Sequence, residues 1–432
     1  MESLDLDLTT NGTLTNGRAL DLKTLGDRSA GLDLAALVPG RRASGVAAEG
    51  APEVAQLSFG ILPLVDCAPI VVAQTRGFFA KHGIQANITK LASWTALRDA
   101  LNSGALHGAH MLFGMPVGAA VGKLGNNQKP LIIPWILSRN GQAITLGIKH
   151  RGNFAADPKA LRPLAIEQRD MGRPMVFGIT LAPGTHAMWL RYWLGAGGIH
   201  PDKDVALITV PPPQMAANMR TGRMDGFCVG EPWNARAIAD GVGYTAICTE
   251  EIWPDHPEKV LAFAEEFAEA HPRAVKATLK ALHQASVWCD DPANHDALAE
   301  LLALPEFIGA PAELLRARLG KSVDYGDGRT RDDLRGLTFS ARNANYPQAK
   351  FALWWLSQFR RWTMLPLIPD YLGVTARVMR PDFYEAAMAE LGVTHGGPDL
   401  SPETLFDGRT FDPASPETYA AHFPITSIRT NL

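Results

Sequence analysis

The chain has 432 residues, of which 46% are hydrophobic, and it carries a formal net charge of −3 at pH 7. A chain of this length buries a sizeable core and is expected to divide into two or three domains or lobes. The chain has no surplus of basic residues of the kind that favours nucleic-acid binding, so no direct contact with nucleic acid is expected.

Residues 1–55 are predicted to form a mostly disordered leader, because they show no sustained hydrophobic period. One short helix is expected near residues 32–37. The segment that begins at Met1 is acidic and lacks the basic start and apolar run of a secretory signal. No stretch is apolar and long enough to cross a bilayer. The sequence therefore predicts a cytoplasmic location, with a periplasmic, membrane-associated protein as the alternative.

Strand and helix patterns alternate from residue 57 to about residue 246, which predicts an α/β fold with mainly parallel sheets. Two units are expected, 57–150 and 174–246, separated by a polar segment that contains several prolines. The mostly helical remainder is expected to return to the first unit, so that lobe 1 comprises 57–150 and parts of 250–432. Two lobes with a cleft between them are typical of proteins that close on a ligand.

A strand at 176–180 leads into a tight turn and an amphipathic helix, and the start of that helix is suited to bind an anion. The turn is Pro183-Gly184, and Thr185 is the predicted N-cap. Unpaired amides in the first helical turn carry the positive end of the helix dipole. His186 adds a further donor beside them. A strand–helix turn with a surface histidine is the structural alternative.

Three other positions have side-chain donors that a ligand can use. Trp94 follows the predicted N-cap Ser93 at the carboxyl end of a strand, Gln142 lies in a turn between two strands, and Lys259 lies at a junction of segments. Each also has a purely structural reading, as a packing tryptophan, an exposed turn glutamine and a solvated lysine. A group of aromatic residues on one later helix is interpreted as core packing, with a partner-binding face as the alternative: Phe351, Trp354, Trp355, Phe359 and Trp362.

Five sequence blocks, in this order along the chain, resemble those of a known family: Ala92-Ser93-Trp94, Asn140-Gly141-Gln142-Ala143-Ile144-Thr145, Pro183-Gly184-Thr185-His186-Ala187-Met188-Trp189-Leu190-Arg191-Tyr192-Trp193-Leu194, Gly230-Glu231-Pro232-Trp233-Asn234 and His256-Pro257-Glu258-Lys259. The family comprises the nitrate- and bicarbonate-binding proteins of ABC importers, NrtA and CmpA, and their cytoplasmic relative, the nitrate/nitrite sensor NasS. The resemblance extends from Leu57 into the C-terminal region. It implies a two-lobed α/β fold like that of periplasmic binding proteins, with parallel-sheet lobes, a helical C-terminal region and the anion in the cleft.

The resemblance also implies a set of ligand contacts for nitrate or nitrite. Carried over by motif, they are Trp94, the backbone around Ala96, Gln142, Thr185, His186 and Lys259. This chain departs from the pattern at Thr95, where nitrate binders commonly have glycine.

The residue types in this set favour nitrate or nitrite over bicarbonate. Nitrate has no proton at neutral pH, so its site consists of hydrogen-bond donors, and no residue in the set is a carboxylate. Bicarbonate has a hydroxyl that needs an acceptor, and in its branch of the family a calcium ion that needs oxygen ligands. Lys259 opposes such an ion electrostatically. No cofactor and no metal are expected.

Two functions follow from the resemblance. The first is a cytoplasmic nitrate/nitrite sensor whose ligand changes its affinity for an antiterminator protein with an ANTAR domain. The alternative is the substrate-binding component of a nitrate ABC importer, with a membrane permease as its partner. The missing export signal favours the sensor.

An enzyme on the same fold, of the thiamine-pyrimidine synthase type, is a third reading, and we predict that the chain is not an enzyme. Such synthases use a cysteine-rich run with histidine and iron. The four cysteines here are spread out and are interpreted as single buried thiols: Cys67, Cys228, Cys248 and Cys289. His107 and His110 have a spacing that suits a metal, but no third ligand is evident. Cys67 with His186 as nucleophile and base lacks an orienting group.

Overall fold

The computed structural model describes residues 31–37, 42–43, 45–152 and 157–428. Across these ranges no helix is both long and apolar enough to cross a membrane. The four cysteines are free and buried, as predicted.

Ten strands form two five-stranded sheets in the described part of the chain, and we number the strands in chain order. They are β1 Gln56–Ile61, β2 Gln85–Lys90, β3 Gly108–Leu112, β4 Leu131–Arg139, β5 Gln142–Gly147, β6 Val176–Ile179, β7 Ala206–Thr209, β8 Gly226–Gly230, β9 Gly243–Cys248 and β10 Pro257–Ala264. The first sheet has the order β2-β1-β3-β10-β4, and the second has the order β7-β6-β8-β5-β9. Two short hairpins lie outside them, Val323–Asp324 with Thr330–Arg331 and Glu403–Thr404 with Thr410–Phe411.

Both sheets are mixed: four strands of each run in the same direction, as expected of mainly parallel sheets, and one strand of each is reversed. Strand β10 runs antiparallel to β3 and β4, and β5 runs antiparallel to β8 and β9. Each reversed strand is the first strand that the chain forms after it crosses from the other sheet. Asn140 and Gly141, both with positive φ, make the first crossing between β4 and β5. Strand β5 therefore belongs to the second sheet and not to the unit predicted at 57–150. The sequence does not show this, because alternation of apolar residues does not give the direction in which a strand pairs.

Helices cover both sheets and make up about half of residues 265–428. The α-helices are Ala68–Thr75, Phe78–Lys81, Trp94–Ser103, Gly114–Ala120, Pro158–Asp170, Thr185–Ala196, Met215–Arg220, Trp233–Ala239, Thr249–Ile252, Glu265–Ala270, Pro272–Asp290, His295–Ala303, Ala312–Arg316, Ala349–Arg361, Tyr371–Val378, Pro381–Leu391 and Pro416–Ala421. Short 3-10 helices occur at Leu34–Leu37, Val65–Cys67, Ile148–His150, Pro212–Gln214, Pro292–Asn294 and Ala341–Asn343.

The aromatic helix Ala349–Arg361 joins the two sheet units. The ring of Trp355 lies 4.8 Å from that of Phe113, which follows β3, and 5.4 Å from that of Trp189 in the helix that follows β6. All five aromatic residues predicted as core packing are buried, which confirms that interpretation. The C-terminal region therefore covers part of the second unit as well as the first.

Part of the predicted disordered leader is ordered against the first sheet unit. The Ala43 amide donates to Asp382 over 2.8 Å, and Glu53 accepts from the Ala274 amide over 2.9 Å at the start of helix Pro272–Asp290. An apolar period is not needed for order when single side chains anchor a segment to a preformed surface. The short helix near residues 32–37 is found as Leu34–Leu37. The rest of the prediction, for residues 1–30, 38–41 and 44, lies outside the described residues.

Candidate functional site

The turn Pro183-Gly184 places the next helix directly against the first sheet. A Cβ at Gly184 would collide with Leu112 Cδ1 in β3, so glycine allows this approach without moving the leucine. Gly184 is the N-cap of helix Thr185–Ala196, and the predicted cap Thr185 is the first helical residue instead. Its hydroxyl accepts a hydrogen bond of 3.1 Å from Gln142 Nε2 on β5. Thr185 and Gln142 therefore meet at the boundary between the two sheets.

His186 is fully buried at the start of the same helix. Its Nδ1 lies 2.5 Å from the Thr180 hydroxyl, and its Nε2 lies 3.4 Å from Glu258 Oε1 on β10. Nε2 has no hydrogen-bond partner among the residues that the structure describes. Burial lowers the pKa of His186, which leaves the imidazole neutral.

A β-bulge brings two neighbouring side chains of β10 to the same place. Pro257 pairs with Arg139 and Lys259 pairs with Ser138, so Glu258 is the additional residue on β10. In a regular strand, adjacent side chains point to opposite faces, and a bulge re-aims one of them. Here the Glu258 carboxylate forms an ion pair with the Lys259 ammonium.

Lys259 is fully buried between two carboxylates. Besides Glu258, its Nζ donates to Asp66 Oδ2 over 2.8 Å. Burial opposes the charge of the ammonium, but Asp66 and Glu258 outweigh it and raise the pKa of Lys259. The lysine is therefore charged at neutral pH, in a place from which water is excluded.

His110 on β3 supports this arrangement from behind. Its Nδ1 accepts from the Leu62 amide over 3.3 Å, so its Nε2 carries the proton and donates to Asp66 Oδ1 over 2.7 Å. Burial disfavours the ionised Asp66, but Lys259 and His110 lower the pKa of Asp66 to about 2. His107 accepts from the Ser58 amide, 2.9 Å away. The two histidines thus bind backbone and carboxylate, and the described residues contain no group of three side chains suited to a metal ion.

Trp94 completes the cluster. It is the first residue of helix Trp94–Ser103, which follows β2. Its ring centroid lies 5.6 Å from Lys259 Nζ and 5.6 Å from the His110 ring. The indole Nε1 is buried and meets no acceptor in the described part of the chain. Ser93 caps this helix by accepting from the Ala96 amide over 3.1 Å, as predicted. The Ala96 amide is therefore already paired and stands apart from the other predicted contacts.

The structure thus brings together five of the six residues singled out as ligand contacts, Trp94, Gln142, Thr185, His186 and Lys259. Each is at most 3% exposed. The expectation that no carboxylate lies among them is wrong, because Asp66 and Glu258 hold the lysine. The sequence shows Glu258 beside Lys259, but strand alternation assigns it to the opposite face, and the bulge leaves no sequence signal.

The cluster contains unused hydrogen-bonding groups of both kinds. Trp94 Nε1 and His186 Nε2 are buried nitrogens, and Gln142 Oε1 and Glu258 Oε2 are buried acceptors, none with a partner among the residues described. Buried polar atoms are rarely left unpaired unless a ligand or water meets them. Because these atoms come from both sheet units, a small polar ligand held here would contact both.

Comparison with known proteins identifies relatives that match nearly the whole chain. Residues 50–303 match the model of the NMT1-like family. The nitrate/nitrite binding protein NrtA of Synechococcus elongatus is 38% identical over 437 residues, covering 98% of each chain. The bicarbonate-binding protein CmpA of a Synechococcus strain is 34% identical and covers 85% of this chain and 86% of its own. The crystal structure of the periplasmic nitrate-binding protein NrtA from Synechocystis has a TM-score of 0.84 at 35% identity, covering 87% of this chain and all of that one.

These relatives decide three of the sequence predictions. The two-lobed α/β fold of periplasmic binding proteins is confirmed by the structural match. The prediction that the chain is not an enzyme is confirmed, since these relatives are binding proteins. The predicted cytoplasmic location is wrong, since the solved relative is periplasmic. An acidic first segment is a weak guide to location here, because 87% of the chain matches a periplasmic protein along the whole of that protein.

Proposed function

This chain belongs to the NMT1-like family, and from that premise we propose that it is the nitrate-binding component of an ABC importer. The sensor hypothesis depended on a cytoplasmic location, so it is set aside together with the antiterminator partner that it required. The importer reading implies a membrane permease as the partner instead.

The observation that carries the proposal is the fully buried Lys259 ammonium with two unused donors beside it. Trp94 Nε1 and His186 Nε2 face the interior beside it without a hydrogen-bond partner in the described residues. Nitrate offers acceptors only, so it matches donors of this kind. A charge-assisted hydrogen bond contributes about 1.5–3 kcal/mol.

The carboxylates of Asp66 and Glu258 fix the direction of the ammonium. Two of its three N–H bonds point to these groups, which leaves the third for a ligand. The acids therefore act through the lysine, as positioning residues. They also keep the lysine charged despite its burial.

The same arrangement supports closure of the two lobes on the ligand. Trp94 and Lys259 belong to the first sheet unit, whereas Gln142, Thr185 and His186 belong to the second. A ligand that binds both sets stabilises the closed arrangement over an open one. The closed form is the signal that a binding component presents to its permease.

Bicarbonate is the second candidate, and one observation favours it. Gln142 Oε1 and Glu258 Oε2 are acceptors without a donor among the described residues, and the bicarbonate hydroxyl is a donor that nitrate lacks. Isothermal titration of nitrate, nitrite and bicarbonate into the purified chain separates these possibilities. We expect nitrate to bind most tightly. Saturable binding of bicarbonate alone would replace the proposal, and absence of binding by all three anions would refute it.

A further inference from the structure

We propose that nitrate enters this site together with one proton, which the pair formed by His186 and Glu258 accepts. This inference rests on the proposed function, because it concerns the same site. It adds a coupling between anion binding and pH.

The charges of the site require a compensating change when an anion arrives. Asp66 and Glu258 carry two negative charges and Lys259 carries one positive charge, so the ionised cluster has a net charge of −1. Nitrate would double this negative charge in a place where water cannot screen it. Uptake of one proton restores the original net charge.

The pair has the geometry to take that proton. His186 Nε2 and Glu258 Oε1 are 3.4 Å apart, close enough to share a proton after a small movement. Within the described chain, His186 Nε2 and Glu258 Oε2 are both buried without hydrogen-bond partners. A proton on Oε2 turns an idle acceptor into a donor toward nitrate. A proton on the imidazole gives N–H groups toward both Thr180 and the interior.

The other titratable groups that face the pair are less suited. They are Lys259 on β10, Asp66 in the helix Val65–Cys67, His110 on β3, Cys228 on β8 and His256 before β10. Lys259 already carries its proton, and the Cys228 thiol is neutral because burial raises its pKa. Asp66 has both carboxylate oxygens engaged, Oδ1 by His110 and Oδ2 by Lys259.

The two remaining histidines have both ring nitrogens engaged. His110 Nδ1 accepts from the Leu62 amide, so a second proton on this ring would break that bond. His256 contacts the Pro257 carbonyl through Nδ1 and the Thr249 hydroxyl through Nε2, whereas His186 has an unpartnered Nε2 in the described chain. The pair of His186 and Glu258 is therefore the place where an incoming anion most readily adds a proton.

Calorimetry in two buffers measures this uptake directly. Nitrate is titrated into the protein in phosphate and in Tris at the same pH, since the two buffers release protons with very different heats. The difference in binding heat gives the number of protons taken up, and we expect about one per nitrate. Affinity should fall about tenfold per pH unit above the apparent pKa of the pair. Nitrate itself does not titrate in this range, so the change reports the protein.

Two variants locate the proton. Glu258→Gln keeps the side-chain shape and removes one negative charge. We expect weaker nitrate binding, because this carboxylate also aims Lys259, and we expect the binding that remains to take up no proton and to be independent of pH. Glu250→Gln is the matched control. Burial raises the pKa of Glu250 to about 7, and this carboxylate accepts from the Gly336 amide outside the site. This variant should keep the full proton uptake. Thermal unfolding verifies that both are folded.

Each result bears on the proposal. Heats that agree between buffers, with an affinity independent of pH, would overturn it, although nitrate binding would stand. Uptake that persists in Glu258→Gln or disappears in Glu250→Gln would place the proton elsewhere and also overturn it. Absence of nitrate binding at every pH would refute the proposed function, and this inference with it.

Discussion

The carbonyl oxygen of Pro183 lies directly against the α-carbon of Gly114, so that any side chain at position 114 would collide with it. Pro183 precedes the helix that carries His186, and Gly114 begins the helix that follows β3. This is one of the contacts between the second sheet unit and the first. It sets how closely donors from both units approach one ligand.

Gly114→Ala should therefore weaken nitrate binding by holding the two units apart. A methyl group here also approaches the indole of Trp355, and overpacking of this kind costs about 1–3 kcal/mol, or roughly 5- to 150-fold in affinity. Titration calorimetry gives the affinity, and small-angle scattering with nitrate shows whether the variant stays more extended than the parent.

Two alanine substitutions calibrate this result. At Gly118 a Cβ meets Pro183 Cβ at a tight 3.1 Å, so Gly118→Ala should have a smaller effect. At Gly320 a Cβ meets no described atom within 4 Å, so Gly320→Ala should bind like the parent. Equal affinities for all three variants would mean that this contact does not govern closure.

Lys259→Met should abolish most of the affinity for nitrate, because it removes the positive charge at the centre of the site. Loss of one charge-assisted hydrogen bond corresponds to about 1.5–3 kcal/mol, or roughly 10- to 150-fold. Lys350→Met is the matched control, since Lys350 is also buried and ion-paired with two carboxylates, Asp399 and Glu403. If both variants lose affinity equally, the effect is one of stability and the site is misassigned.

Trp94→Phe should lower the affinity by a smaller amount, since it removes the indole N–H and keeps an aromatic ring. A neutral hydrogen bond contributes about 0.5–1.5 kcal/mol, which is roughly 2- to 13-fold. Trp135→Phe provides the comparison, because Trp135 Nε1 is likewise buried without a described partner but packs on Tyr384 within the first sheet unit. Unchanged binding in Trp94→Phe would remove the indole from the site.

The sequence indicated the donors of the candidate site more fully than the groups around them. Thr185 and His186 follow a strand and a Pro-Gly turn, and this local pattern alone indicates a helix start with donors. Lys259 was placed by family resemblance, since nothing local distinguishes it from a solvated lysine. Glu258 was missed because the bulge that re-aims it depends on pairing with Arg139 and Ser138, which no local pattern shows.

For the fold, the sequence predicts the class and part of the core but not the direction of two strands. Alternating strands and helices indicated the α/β class, and the aromatic helix with Trp354 and Trp355 was recognised as core. The reversed strands β5 and β10 were not foreseen, because their direction follows from the chain passing between the sheets. Asp66 was missed for a similar reason, since its meeting with Lys259 joins residues 193 positions apart.

Asp66 should make the stability of the chain depend on pH in the acid range. Lys259 and His110 lower its pKa to about 2 in the folded chain, whereas an unfolded aspartate titrates near 3.9. A lowered pKa stabilises the fold above the unfolded value, and that contribution is lost as pH falls toward 2. By linkage it amounts to roughly 2–3 kcal/mol. Urea unfolding at about pH 7, 4 and 2.5 measures the loss, because these pH values lie above, near and below the titration of the unfolded aspartate.

Asp66→Asn should lower the free energy of unfolding at neutral pH and flatten its decline between about pH 4 and 2. The same measurement on Asp225→Asn is an informative comparison. Burial again opposes the charge, but His150 and Lys149 lower the pKa of Asp225 to about 2, and this aspartate lies at the far end of the second sheet. It should share the loss of stability without affecting nitrate binding, whereas Asp66→Asn should reduce both, because it also frees the Lys259 ammonium to turn away from the ligand. Full nitrate affinity in a folded Asp66→Asn chain would show that the carboxylate stabilises the fold and has no part in aiming the lysine.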